Sequence, residues 1–243
     1  MSPQIVAELA PHGVLRVGIN LSNSLLVTGR SVLGDPEGVA PDLARAIAEQ
    51  LGVPIQLVPF PEPPDFVRTA DDDVWDVGLI GADPARAQKI AFTSAYVQIE
   101  ATYLVPAGSF ISTIEEVDRP GIRIAVTDRA AYDLWLERNI KHAQLVRSDS
   151  QTSDLDLFVR DKLEALASLR PDLLDMMAKL PAGTRILDGQ FMTVQQAVGT
   201  PRRNNAGAVW LQDFIETAKA SGLIATLIER HKVTGKLSVA PAG

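Results

Sequence analysis

Cysteine is absent from the 243 residues, which excludes disulfide staples, thiolate chemistry and cysteine-bound zinc. Histidine occurs only at His12, His142 and His231, too far apart for ligand spacing, so no metal and no cofactor is expected. Long apolar runs are lacking as well, and no stretch reaches the roughly 18 to 20 residues that cross a bilayer. Basic charge is in deficit: 23 Lys and Arg stand against 30 Asp and Glu, for a net charge of −7. Such a surface repels nucleic acid and anionic membranes as a whole, so any anion site must be local. The first eleven residues hold neither a basic n-region nor an apolar h-region, so no signal peptide is read there. Nucleophile-elbow, Walker A and strand-borne G-x-G-x-x-G motifs are missing too. Aromatics make up only 5 % of the chain, and Trp75, Trp135 and Trp210 read as packing residues.

What is present is an ordinary globular balance, 46 % apolar and 22 % charged, carrying a repeated alternation of elements. Short apolar strands are expected at 14–19, 55–58 and 77–80. Leu43, Ile47 and Leu51 recur at helical spacing, and Gly52 closes that helix, expected over 41–51. A second alternation runs through a strand at 123–126, a helix at 131–139, a strand at 144–146, a helix at 154–163 and strands at 165–169 and 185–187, with a helix starting after Pro171. Two amphipathic helices end the chain, lined by Leu211, Phe214, Ile215 and Ala218 and then by Leu223, Leu227 and Ile228. This is the signature of βαβ units and mostly parallel sheets. Extended segments at 101–105 and 193–198 bracket the second unit and suit hinge strands.

The most informative stretch runs from Asp76 to Arg86. A strand ends in Gly81, Asp83 is placed to N-cap a helix, and Pro84 suits its first position. In open α/β sheets ligands bind at the strands' carboxyl ends, and a helix N-terminus there favours anions. Arg86 would either grip such an anion or pair with Asp83. Arg129, again at an expected helix start, would either pair with Asp133 one turn on or meet a ligand. Asp71 to Asp73 read as a solvated loop.

Gly81, Asp83, Pro84, Arg86, Ile90, Phe92, Thr93 and Tyr96 together resemble the signature of the polar amino-acid solute-binding family, solute-binding family 3. The runs from Gly13 to Gly18 and from Gly38 to Ala44 match its opening motifs. The resemblance implies an α/β, two-lobed periplasmic-binding-protein-like type II fold, each lobe a mostly parallel sheet flanked by helices. Lobe 1 would comprise 1–104 plus 194–243 and lobe 2 the inserted 105–193, joined by two crossing hinge strands. It further implies a monomeric, non-enzymatic solute-binding component of an ABC-type transporter, taking a carboxylate-bearing solute in the cleft between lobes and meeting a membrane permease or receptor. The compartment implied is the periplasm, with a cytoplasmic location left open by the missing signal peptide.

Carried over residue by residue, the implied ligand contacts are Asn20, Ser22, Asn23, Gly81, Ala82, Asp83 and Arg86 from lobe 1, with Arg86 gripping a carboxylate; in lobe 2 the family's Gly-Thr is replaced by Thr127 to Ala131, so Arg129, Ala130 and Arg170 are candidates from the charges and loop this chain itself places there. Two further departures bear on the ligand. The loop before Arg86 is two residues tighter than the family's, and no carboxylate stands near Leu169 and Arg170, where the family pairs an α-ammonium. An anionic mono- or dicarboxylate is therefore expected over an amino acid. The rivals are a ligand-sensing domain without transport, and a cyclohexadienyl-dehydratase-like enzyme on the same fold with Glu100 as general acid, since the second hinge offers only Gln195 and Gln196.

Overall fold

The computed structural model describes residues 2–149 and 152–243. In chain order the elements are α1 (Pro3–Leu9), β1 (Leu15–Asn20), β2 (Gly29–Arg30), β3 (Pro36–Glu37), α2 (Val39–Leu51), β4 (Ile55–Phe60), α3 (Pro63–Arg68), β5 (Val77–Gly81) and the long β6 (Ile90–Val105). There follow β7 (Arg123–Thr127), α4 (Ala131–Asn139), β8 (Gln144–Ser148), α5 (Asp154–Arg160), β9 (Ala165–Leu169), α6 (Arg170–Met177), β10 (Arg185–Ile186), β11 (Met192–Pro201), α7 (Asn205–Ala220), α8 (Leu223–Arg230) and β12 (Ser238–Val239). The chain divides into two compact units, 1–98 with 195–243 and the continuous 99–194, and it passes from one to the other within β6 and again within β11.

Unit 1 orders its strands β4-β1-β5-β11, the first three parallel and β11 antiparallel to β5. Its core shows why glycine recurs in these strands. Gly18 and Gly78 lie opposite one another on β1 and β5, and a Cβ on either would overlap the Phe66 ring that α3 lays across them. Phe66 in turn stacks on Trp75 at 4.8 Å and meets Phe60 edge-on at 5.0 Å. The helix expected at 41–51 begins two residues earlier, at Val39. Its N-cap Gly38 has φ of 149° and packs against the Leu26 carbonyl, a place no Cβ can occupy. The same helix ends at Gly52 in the left-handed conformation, φ 74°, as its sequence requires.

Unit 2 repeats this arrangement. Parallel strands run β8-β7-β9, with β9 antiparallel to β6 and β10 on the other side of β6. Leu104, Ala125, Leu157, Phe158, Leu163, Leu166 and Leu173 form its core. In both units the first parallel strand is central: the chain moves to one neighbour, then crosses back to the other. Each unit therefore has a topological switch point, between β1 and β5 in unit 1 and between β7 and β9 in unit 2.

One expectation fails. No α-helix follows β5; residues 86–88 make a single 3-10 turn before β6 starts at Ile90. The Asp83 carboxylate accepts the Ala85 N–H at 2.8 Å and the Asp83 carbonyl accepts the Ala87 N–H at 2.9 Å. That winds one turn. The Lys89 carbonyl then accepts from Arg202 N–H at 3.0 Å and Ile90 is drawn into the core, so the chain must extend. The anion site argued from a helix N-terminus at this point is withdrawn with the helix.

Candidate functional site

The carboxyl ends of β1 and β5 are neighbours, and they bring together all seven candidate residues of unit 1. After β1 the chain turns tightly: Asn20 Oδ1 accepts the Ser22 N–H at 3.2 Å and the Ser22 hydroxyl at 2.8 Å, and Asn23 Oδ1 accepts the Leu25 N–H at 3.1 Å. The two backbone N–H bonds are turn-forming contacts of Asn side chains with the chain two residues on, and the Ser22 hydroxyl adds a side-chain bond to the first of them. After β5, the Ala82 N–H donates to the Gln195 carbonyl at 2.7 Å, fixing the strand end to β11. Arg86 is buried, 4 % exposed, and its Nη1 donates to the Gly81 carbonyl at 2.7 Å. The guanidinium is thus anchored to the last carbonyl of β5 instead of opposing a helix dipole, and a guanidinium held this way is pre-oriented for a planar acceptor.

In unit 2 the equivalent edge carries Arg129 and Ala130 after β7 and Arg170 after β9. Arg129 sits in the left-handed conformation at φ 56°. Asp133 accepts the Arg129 backbone N–H at 2.9 Å and the Arg147 guanidinium at 3.0 Å. The Arg129 side chain, exposed, lies 3.7 Å from Glu137. Ala130 is the N-cap of α4. Arg170 donates from Nε to Glu100 at 2.7 Å and from Nη2 to the Gly189 carbonyl. A carboxylate therefore does stand beside Leu169 and Arg170, contrary to the sequence expectation; it arrives from β6, seventy positions away, which no alignment of the β9 segment alone reveals. Glu100 is exposed and ion-paired, a poor setting for a carboxylic acid that must hold and deliver a proton. The acidic loop is exposed, as expected, and two of its carboxylates are ion-paired: Asp71 with Lys89 at 3.0 Å, and Asp73, with the buried Asp76, on Arg16.

Sequence reasoning missed a second set of polar groups at the same edge of unit 2. Thr127 ends β7, Tyr132 lies in the first turn of α4, Asp154 opens α5 and Ser168 lies near the end of β9. Their hydroxyl and carboxyl oxygens are linked at 3.0 to 3.4 Å. Asp154 is 6 % exposed, and burial pushes its carboxyl above the usual aspartate range against the bonds from Thr127 and the Leu155 N–H. Burial likewise pushes the Tyr132 phenol up. The only signal in the sequence was a pair of acids, Asp154 and Asp156, in one helical first turn; Asp156 is the one that bonds the N-cap Ser153.

Comparison with known proteins gives a consistent result. Residues 15–234 match the family model of bacterial extracellular solute-binding proteins, family 3. Cyclohexadienyl dehydratase of Pseudomonas aeruginosa is 26 % identical over 236 residues, covering 91 % of this chain and 84 % of that protein. An ancestral amino acid-binding protein, a precursor of cyclohexadienyl dehydratase, superposes with a TM-score of 0.74 at 19 % identity over 93 % of this chain and 97 % of its own. The proposed binding component of an ABC transporter from Wolinella succinogenes, complexed with lysine, does so with a TM-score of 0.72 at 20 % identity over 90 % and 95 %. At these identities the structural likenesses establish the two-lobed periplasmic-binding type of fold, and the switch-point edges are where such a fold recognises small molecules.

Proposed function

The chain belongs to family 3 of the bacterial extracellular solute-binding proteins, and from that premise we propose that it is the solute-binding component of an ABC-type transporter, acting in the periplasm on a small carboxylate-bearing solute. The observation that carries this reading is the placement of Arg86, buried and bonded to the Gly81 carbonyl at the β1/β5 switch point. A bidentate guanidinium recognises a carboxylate plane. Within unit 2, Arg129 and Ala130 at the β7/β9 edge are its own candidate ligand contacts, and Arg170, paired with Glu100, takes part only through that pair. A permease is the partner in this reading.

Calorimetry against succinate, acetate, glutamate, arginine and lysine tests it. At least one carboxylate-bearing probe should bind the wild type, and Arg86→Lys should lose about tenfold or more of that affinity because the fork geometry is gone. Arg86→Lys is preferred to Arg86→Ala, since a residue 4 % exposed also supports the fold. Normal binding by Arg86→Lys would overturn the assignment. The expectation of an anionic ligand now competes with a zwitterionic one, because Glu100 supplies a carboxylate at the strand end. Succinate binding more tightly than lysine supports the anion, and the reverse supports an amino acid.

A second reading rests on the dehydratase relative. It predicts loss of water from a cyclohexadienyl acid in the presence of the protein, read by ultraviolet absorbance. Glu100, exposed and bonded to Arg170, is withdrawn as its general acid. Absence of turnover with retained binding leaves solute capture alone.

A further inference from the structure

Four side chains of unit 2 that solute capture does not use form one connected path. Asp154 Oδ1 accepts the N–H of Leu155 at 2.8 Å, and Oδ2 accepts the Thr127 hydroxyl at 3.0 Å. The Tyr132 hydroxyl donates to the same Thr127 oxygen at 3.0 Å and lies 3.4 Å from Ser168 Oγ. Because the hydrogens of Thr127 and Tyr132 are already engaged, Ser168 is the donor in its contact with Tyr132. Every hydrogen on the path therefore points toward Asp154. Thr127 and Tyr132 are also the two flanks of the loop 128–131, the loop that holds Arg129 at φ 56° and Ala130 at the N-cap of α4.

We propose that Asp154 is the proton-sensing positioning residue of the 128–131 loop, clamping it through Thr127 and Tyr132 when ionised and relaxing it when protonated. The proposal rests on the solute-capture reading only in giving that loop a ligand to meet. As a carboxylate, Asp154 makes the Thr127 bond charge-assisted and aligns the path. Protonated at Oδ2, it becomes a donor to Thr127, so the Thr127 hydrogen turns to Tyr132 and the path runs in the reverse sense, held by neutral bonds that are weaker than the charge-assisted one they replace. One proton is taken from solvent and nothing else changes.

The surroundings leave the carboxyl without a compensating cation. Among the described residues no ion pair involves Asp154. On its own helix Asp156 adds negative potential. From α4 Tyr132 faces it, and the adjacent Asp133 is ion-paired with Arg147 of β8. Asp172 of α6 acts on Tyr132, Arg123 of β7 is bonded to Glu164 at the opposite strand end, and β9 brings no charged side chain. The loop's Asp128 lies 3.7 Å from Arg147. Burial is then the dominant influence, and it favours the proton.

Hydrogen exchange without any ligand decides the matter. As pH rises from acid, below the ordinary aspartate range, to neutral, protection of amides 128–131 relative to those of β7 should rise about threefold or more in the wild type. In Asp154→Asn that dependence should vanish. Thr127→Val, which keeps the carboxyl and removes its link, should lose the loop response too. Equal pH profiles in wild type and Asp154→Asn would overturn the proposal. Calorimetry of succinate with Arg129→Ala tests the reading beneath it separately: unchanged binding there removes the loop's ligand role while the ligand-free exchange result stands on its own.

Discussion

Tyr96 is fully buried in unit 1, and its hydroxyl has no hydrogen-bond partner among the described residues. Burial alone pushes its phenol up. A buried hydroxyl without a partner costs roughly 1 to 3 kcal/mol, so Tyr96→Phe should leave the fold intact and raise its unfolding free energy by about 1 kcal/mol in urea titrations. A loss of 1 kcal/mol or more would mean that the hydroxyl holds an ordered water that the core requires. Tyr96 was legible in the sequence as part of a family signature, yet its solitary hydroxyl was not, because satisfaction of a polar atom depends on what packs against it from other elements.

At the scale of elements, α7 is tied to the last residues by one small polar cluster. Lys219, 6 % exposed at its side chain, bonds Glu216 at 2.8 Å, Ser94 Oγ at 3.2 Å and the Pro241 carbonyl at 2.8 Å. Glu216 also accepts from Ser94 and from the Gly243 N–H, while β12 pairs with Val97 and Gln98 of β6. Lys219 first, then Ser94 and Gly243, hold the Glu216 carboxyl down to about 2, from a usual value of 4.5. A depressed carboxyl contributes stability that is present above its unfolded pKa and lost as pH falls through the folded one. The acid limb between about pH 4.5 and 2 should therefore be shallower in Glu216→Gln than in wild type, with amides 238–243 exchanging faster at neutral pH. Superimposable acid limbs would remove the cluster from any role in holding β12. The two amphipathic helices α7 and α8 were readable from spacing alone, but the contact of α7 with a tail some 20 residues downstream carries no local pattern.

At the scale of the molecule, each unit owns a core. Phe60, Phe66, Trp75, Ile80 and Ile90 anchor one in unit 1, and the leucine-rich cluster around Phe158 fills unit 2. Unit 2 is a single continuous segment, 99–194, of a length that supports an independent core. The excised segment is expected to fold, with a cooperative thermal transition by circular dichroism and a free energy below that of the whole protein. A broad, non-cooperative melt would show that its core depends on unit 1. The repeated switch-point topology also explains why candidate residues far apart in sequence gather at two edges: in each unit the first βα turn and the turn after the third parallel strand are forced to the same end of neighbouring strands.

Local pattern determined most elements of this protein. The apolar spacing of Leu43, Ile47 and Leu51 with Gly52 behind them, the run at 165–169 and the helix at 131–139 depend on nearest neighbours, and the structure has them where the periodicity places them. The residues after Gly81 show the opposite case. Asp83 and Pro84 are good helix-start residues, but the demand that Ile90 be buried and that Lys89 meet Arg202 overrides them after one turn. Gly18 and Gly78 look like weak strand residues until Phe66 is laid over both. The pairing of Arg170 with Glu100, and the joining of Ser168, Tyr132 and Thr127 to Asp154, bring together groups 70 and up to 41 positions apart. Propensity and periodicity act over a few residues, whereas desolvation and hydrogen bonding act on whatever the fold makes adjacent, and only the tertiary structure decides that.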